Sequence, residues 1–205
     1  MAQFRWSAAS ASRAAALILS VALAGSTACR HTPAPAGSAD IVPEYNPETG
    51  RLERISYDRN TDGKPDAWLF MNGTAAQRAE LDDNHDGAVD RWEYYESAAT
   101  AAAAPDSMPR GVLVRAEQSA RFDGKVSRWE RYAGGQLVSV EEDTSGDGTP
   151  DKWETWSDGS LKSVALDTKG TGKPDRQIVY AADGSAPRLL VDTDGNGSFE
   201  PASGR

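Results

Sequence analysis

Between residues 45 and 200, short apolar or aromatic runs alternate with acidic stretches that carry a glycine. One frame opens most of the apolar runs. It reads Gly50-x-Leu52-x-x-Ile55-x-x-Asp58, then Gly111-x-Leu113-x-x-Ala116-x-x-Ser119, Gly135-x-Leu137-x-x-Val140-x-x-Asp143 and Gly159-x-Leu161-x-x-Val164-x-x-Asp167. Looser copies join Gly73 to Asp82 and Gly184 to Asp192. Runs leaving the acidic stretches carry Trp68 and Phe70, Trp92 and Tyr94, Trp129 and Tyr132, Trp153 and Trp156, then Tyr180. Aromatic and β-branched residues in runs this short suit pleated strands, and recurrent glycine or proline breaks any helical pattern. Asn72-Gly73, Gly134-Gly135, Asp158-Gly159 and Asp183-Gly184 are hairpin turn signals. The unit this predicts is strand, tight turn, strand, acidic loop. In succession the units give an all-β antiparallel meander of about six hairpin repeats, with glycine turns on one rim and acidic loops on the other.

The acidic stretches have an internal order. In Asp82 to Glu93, oxygen-bearing side chains stand at positions 1, 3, 5, 9 and 12 (Asp82, Asn84, Asp86, Asp90 and Glu93), with Gly87 at position 6. A hard cation such as calcium takes about six to eight oxygens, and glycine permits the sharp turn around it. Three other stretches keep most of this order: Asp58, Asn60, Asp62 and Asp66; Asp143, Ser145, Asp147, Asp151 and Glu154; Asp192, Asp194, Asn196 and Glu200. The first and last of the four lack the final carboxylate, having Leu69 and Ser203 there. Two copies are degraded. Ser119 to Glu130 has Arg121 at a ligand position, and Asp167 to Gln177 has Lys169. A cation in a ligand slot substitutes electrostatically for the metal, so these two are expected to be metal-free turns. The position-6 glycines are Gly63, Gly87, Gly124, Gly148, Gly172 and Gly197, separated by 24, 37, 24, 24 and 25 residues. A near-constant spacing marks a repeat architecture. The surplus in the long interval falls within residues 97–110, an alanine-rich surface excursion between two strands.

The loops resemble the calcium-binding aspartate loops of EF-hand, dockerin and thrombospondin type 3 proteins. The thrombospondin likeness rests on the Asp-Gly-x-Pro-Asp runs at Asp62–Asp66 and Asp147–Asp151. The hairpins resemble the YD-type repeats of bacterial surface proteins, as at Tyr57-Asp58. The resemblance implies calcium as the bound ion. Helices flanking a true EF-hand loop are not expected here, because the flanks are short and rich in β-formers. The chain has one cysteine, Cys29, so the disulfides of thrombospondin repeats do not carry over.

Charge narrows the partners. The 205 residues carry 31 acids and 22 bases, a formal charge of −9. Residues 1–28 hold Arg5 and Arg13 and no acid, so their removal takes the charge to −11. Such a chain lacks the basic footprint that nucleic-acid binding needs. The apolar run from Ala14 to Ala24 has signal-peptide length and ends in Gly25-Ser26-Thr27-Ala28-Cys29. Cys29 after small residues resembles the lipobox of bacterial lipoproteins, although Ser26 stands where that family usually has leucine. The resemblance implies acylation of Cys29 and a membrane anchor in the bacterial cell envelope; ordinary cleavage after Ala28 is the alternative. Residues 29–44, rich in Ala and Pro, read as a disordered tether before a repeat domain at 45–205.

The expected protein is therefore exported, lipid-anchored and calcium-binding, with a structural or scaffolding role. The alternative is a carbohydrate- or protein-binding surface lipoprotein whose acidic loops are metal-free turns, since Asp, Asn and Gly form turns without any ion. An envelope protein or a glycan is the further partner to expect. The recurring tryptophans read as packing between successive hairpins in preference to a glycan-stacking face. His85, at the non-ligand fourth position, is expected to face solvent. No catalytic role is expected, because every acid cluster recurs with the repeat and no nucleophile–base set stands out.

Overall fold

A computed structural model describes residues 41–97 and 111–202. The expected signal peptide, Cys29, the tether up to residue 40 and most of the 97–110 excursion lie outside the described residues.

The described chain forms one sheet of thirteen antiparallel strands in sequence order. They are β1 (Ile41–Tyr45), β2 (Leu52–Tyr57), β3 (Ala67–Asn72), β4 (Ala75–Leu81), β5 (Arg91–Ser97), β6 (Gly111–Gln118) and β7 (Arg128–Ala133). They continue as β8 (Gln136–Glu142), β9 (Lys152–Ser157), β10 (Ser160–Leu166), β11 (Arg176–Val179), β12 (Arg188–Val191) and β13 (Glu200–Pro201). The all-β antiparallel meander expected from the alternating pattern is thus the architecture. One boundary is corrected. Residues 41–44, read as the end of the tether, belong to β1, where Ile41 and Val42 pair with Tyr57 and Ser56. Two adjacent β-branched residues favour the extended backbone that this pairing uses. β1 is an exposed edge, and Pro43 and Glu44 blunt it against further strand addition.

Alternation along each strand sorts side chains onto two faces. One face carries Ile55, Leu69, Ala79, Glu93, Ala116 and Glu130 in a register row, continued by Val140, Glu154, Val164 and Ile178. Ala116, Val140 and Val164 are the buried hydrophobic residues among those described. The buried hydrophobic core is therefore small, and buried polar side chains outnumber it.

Ion pairs tie this face together. The Arg91 guanidinium on β5 reaches Glu130 on β7 at 2.9 Å, across the small side chain of Ala116 on β6. Arg91 also pairs with Glu93 at 2.9 Å, and Arg128 with Glu130 at 2.8 Å and Glu142 at 3.2 Å. Lys152 continues the chain to Glu142 and Glu154 at 3.1 and 2.8 Å. Burial opposes ionisation of Glu130, but Arg91, Arg128 and the Tyr132 hydroxyl outweigh it and hold the carboxyl below its ordinary value. Burial and the Glu130 carboxylate push the Tyr132 hydroxyl up to about 12. A contact between strands two apart requires the sheet to curl toward this face. Gly111 on β6 shows the same curl, since a Cβ there would lie 2.9 Å from the Ala76 carbonyl oxygen on β4.

The opposite face carries the tryptophans. Trp68, Trp92, Trp129 and Trp153 stand on alternate strands, with Glu80, Glu117 and Glu141 between them. All four are half-buried. Successive hairpins lie side by side in one sheet, so the tryptophans of neighbouring hairpins are separated by one strand in the register row. A parallel row alternates arginine with aromatic rings. Arg78 lies 4.4 Å from the Phe70 ring centroid and Arg115 lies 3.9 Å from that of Tyr94.

Candidate functional site

The acidic loops join β2–β3, β4–β5, β6–β7, β8–β9, β10–β11 and β12–β13, all on one rim. Their construction starts at position 1. The Asp82 carboxylate accepts the N–H groups of Asp86 at 3.2 Å and Gly87 at 2.8 Å. Asp58 does the same for Thr61 and Gly63, Asp143 for Gly146 and Gly148, and Asp192 for Gly195 and Gly197. In the degraded loop, the Ser119 hydroxyl accepts from Asp123 and Gly124, both at 3.1 Å.

Position 9 closes each loop from the other side. Asp90 accepts the N–H groups of Asp83 and Asn84, Asp151 those of Thr144 and Ser145, and Asp66 that of Arg59. Glu200 is longer by a methylene and stays exposed. Position 5 carboxylates cap position 7: Asp62 accepts from Lys64, Asp86 from Ala88 and Asp147 from Thr149. Position 3 groups turn inward to position 5. Asn60 and Asn84 donate to Asp62 and Asp86, while in the sixth loop the direction reverses and position-5 Asn196 donates to position-3 Asp194. Ser145 instead donates to Asp143.

The loops touch at their bases. Position 1 of one loop donates its N–H to the position-9 carbonyl of the loop before: Asp82 to Asp66 at 2.9 Å, Ser119 to Asp90 at 2.7 Å, Asp143 to Ser127 at 2.8 Å. This ladder buries Asp58, Asp66, Asp82, Asp90, Asp143 and Asp192, and seals Ser119 and Ser127 completely. Buried carboxylates survive there because they are hydrogen-bonded. For Asp143, burial raises the pKa, but the Gly146 and Gly148 N–H groups, Ser145 and Arg121 outweigh it and hold the group below its ordinary value.

Cations reach several loops. Arg59 donates to the Asp66 carboxylate at 2.7 Å, the Asp83 carboxylate at 3.1 Å and the Asp82 carbonyl at 2.7 Å, bridging the first two loops. Arg121 donates to the Asp143 carbonyl at 2.8 Å and lies 3.5 Å from its carboxylate. It therefore serves the next loop in addition to its own, where Asp123 is 3.7 Å away. Lys169 lies 3.7 Å from Asp175 within its own loop. His85 is exposed to solvent, as expected, and its Nδ1 also sits 3.1 Å from the Asp66 carboxylate of the preceding loop.

Asp82, Asp86 and Asp90, like Asp192 and Asp194, have no ion-pair partner among the described residues. The position-12 glutamates lie apart from the loops. Glu93 is bonded by Arg91 and Tyr95, and Glu154 by Lys152 and Trp156, all on the strand. Among the described residues no three His, Cys, Asp or Glu side chains converge as they would around a metal ion. Sequence reasoning missed a second left-handed position in each loop. Position 4 has positive φ at Thr61, His85 and Phe122, and glycine occupies it as Gly146, Gly170 and Gly195 in the later loops. Those three glycines were the available signal.

No protein-family profile and no curated protein matches the chain. Two solved structures share features with it at 18% identity. The GtfA/B complex bound to UDP and GlcNAc aligns over 56% of this chain and 22% of its own, with a TM-score of 0.37. The accessory secretory protein 1, 2 and 3 structure from Streptococcus pneumoniae aligns over 62% and 19%, with a TM-score of 0.30. The chain thus spans about a fifth of the length of either.

Proposed function

We propose that this is an exported, lipid-anchored scaffold protein of the bacterial cell envelope, built from a repeat of about 24 residues whose acidic loops bind calcium structurally. The observation that carries the reading is the uneven neutralisation of the loops. Arg59, Arg121 and Lys169 pair with ligand-position carboxylates of the first, fourth and fifth. The carboxylates of Asp82, Asp86 and Asp90 pair with no cation among the described residues, Arg59 meeting their loop at the Asp82 carbonyl and at Asp83, which is not a ligand position. Each carboxylate oxygen that accepts one N–H retains a lone pair for a metal. The loop at Asp82–Asp90 is accordingly the first to fill and that at Asp192–Glu200 the second; those at Asp58–Asp66 and Asp143–Asp151 follow. Glu93 and Glu154 stay with the strand, so water completes the coordination shell. Cys29 supplies the anchor, calcium and a membrane are the partners, and no reaction is catalysed.

Thermal unfolding of the full chain in 1 mM calcium and in chelator tests this. With a dissociation constant of about 0.1 mM, each filled site adds about 1.4 kcal/mol. The Asn84→Ala/Asp86→Ala variant keeps the buried Asp82 acceptor and should lose most of the calcium-dependent rise. Identical curves in calcium and chelator would make the loops metal-free turns.

A further inference from the structure

We infer that the tryptophan face binds a neutral, extended β-1,4-linked glycan lying across the strands. This goes beyond the calcium reading and does not rest on it.

The spacing comes first. Trp68, Trp92, Trp129 and Trp153 occupy every second strand of one register row. Strands lie about 4.8 Å apart, so successive indoles are on the order of 10 Å apart. That is close to the disaccharide repeat of an extended β-1,4-linked glycan, so every second sugar meets a ring. A pyranose with equatorial hydroxyls has an apolar face of C–H groups that stacks on an aromatic surface, and polar edges that seek hydrogen bonds. Glu80, Glu117 and Glu141 stand between the indoles as acceptors.

Charge selects a neutral ligand over a polyanion. Arg54 pairs with Glu44 at 2.5 Å, Arg78 with Glu80 at 3.0 Å, and Arg115 with Glu117. Arginines that already hold carboxylates present spare N–H groups but little net field. The buried Nε atoms of Arg54 and Arg78 have no hydrogen-bond partner.

A shallow cleft of about 190 Å³ lies beside Trp129, lined in part by Pro150 of the acidic loop. Arg115, Arg131 and Glu141 also line it. Arg115 and Arg131 face each other directly across β6 and β7, an arrangement that costs stability between like charges. Arg131 is exposed and has no ion-pair partner among the described residues. Sugar hydroxyls would accept from both guanidiniums and donate to Glu141.

Twist selects a single chain over a crystalline surface. Neighbouring strands rotate by about 20–25°, so successive tryptophans differ by about 40–50°. A flat crystal face would meet one ring and miss the next.

The full chain is titrated in chelator with cellohexaose, chitohexaose and maltohexaose, and with heparin as the polyanion, following tryptophan fluorescence and heat. Saturable binding of cellohexaose or chitohexaose is expected, with maltohexaose at least ~10-fold weaker. Trp129→Ala and Trp92→Ala should each weaken binding by about tenfold, the equivalent of ~1.4 kcal/mol. Trp129→Phe should recover most of it, and Trp156→Ala on the opposite face should leave affinity unchanged. Arg131→Met, at an exposed site, should weaken binding severalfold and guards against a tryptophan variant that fails to fold. Lack of binding to both β-linked hexamers would overturn the inference. So would equal binding of maltohexaose, binding of heparin alone, or affinity indifferent to Trp129 and Arg131.

Discussion

Two loops on the acidic rim, Asp82–Asp90 and Ser119–Ser127, differ in almost every ligand-type residue and share one hydrogen-bonding scheme. Position 1 accepts from the N–H of Gly87 at 2.8 Å in one and Gly124 at 3.1 Å in the other. Position 9 accepts from Asp83 in one and Ala120 in the other. His85 and Phe122 at position 4 both take positive φ. A hydroxyl therefore does for the backbone what a carboxylate does. The turn needs a buried acceptor and a glycine, and the carboxylates exceed that need. The glutamates beyond the two loops teach the complement. Glu93 lies between Arg91 and Tyr95, and Glu130 between Arg128 and Tyr132, each bonded to both neighbours. Glutamate persists at position 12 where the loop has lost its acids at positions 1 and 9, so it belongs to the sheet.

Removing the strand glutamates should have the largest effect. Glu130→Ala takes one carboxylate from Arg91 and Arg128, which keep Glu93 and Glu142, and leaves the Tyr132 hydroxyl without its acceptor; it is expected to cost ~3 kcal/mol in urea unfolding. The same loss after a metal-incompetent loop shows the role to be structural. Next comes the acceptor. Asp82→Ala orphans two N–H groups and should cost ~2–3 kcal/mol, whereas Asp82→Ser, copying Ser119, should lose less than half of that. Equal losses would show that the negative charge is required. A smaller effect is expected on replacing the exposed Phe122 by glycine, which relieves its left-handed backbone and should raise stability by ~0.5–1 kcal/mol.

Acid separates the loops locally. Asp143 and Asp151 both have folded-state pKa values below the ordinary 3.8. Their contribution is complete above that value and is lost as pH falls through the depressed one. The loop built on Ser119 and Ser127 has no such groups at its buried positions. Amide exchange in acid should therefore release Gly146 and Gly148 before Gly124. Simultaneous release would place the acid sensitivity elsewhere, for example in Glu130.

The meander was legible because strands, turns and loops each have a local signal: aromatic runs, Gly73 or Gly159, and aspartate at fixed offsets. The loops' backbone pattern was equally local. What escaped depends on neighbours distant in sequence. Nothing around Arg91 announces that Glu130 will meet it across Ala116, because curl is a property of three strands together. Arg59 reaches the second loop for the same kind of reason. The tryptophan row was legible only as a spacing along the chain, because the fall of all four indoles on one face of one sheet is a tertiary fact.

The strict sequence order of the sheet has a consequence for how the molecule forms. Apart from the close approach of β4 and β6 and the Arg91–Glu130 ion pair between β5 and β7, each described strand meets the strands before and after it. Low contact order makes folding fast, and no distant partner must be awaited. Any hairpin can nucleate and the structure can zip outward from it, even before the remainder of the chain is available.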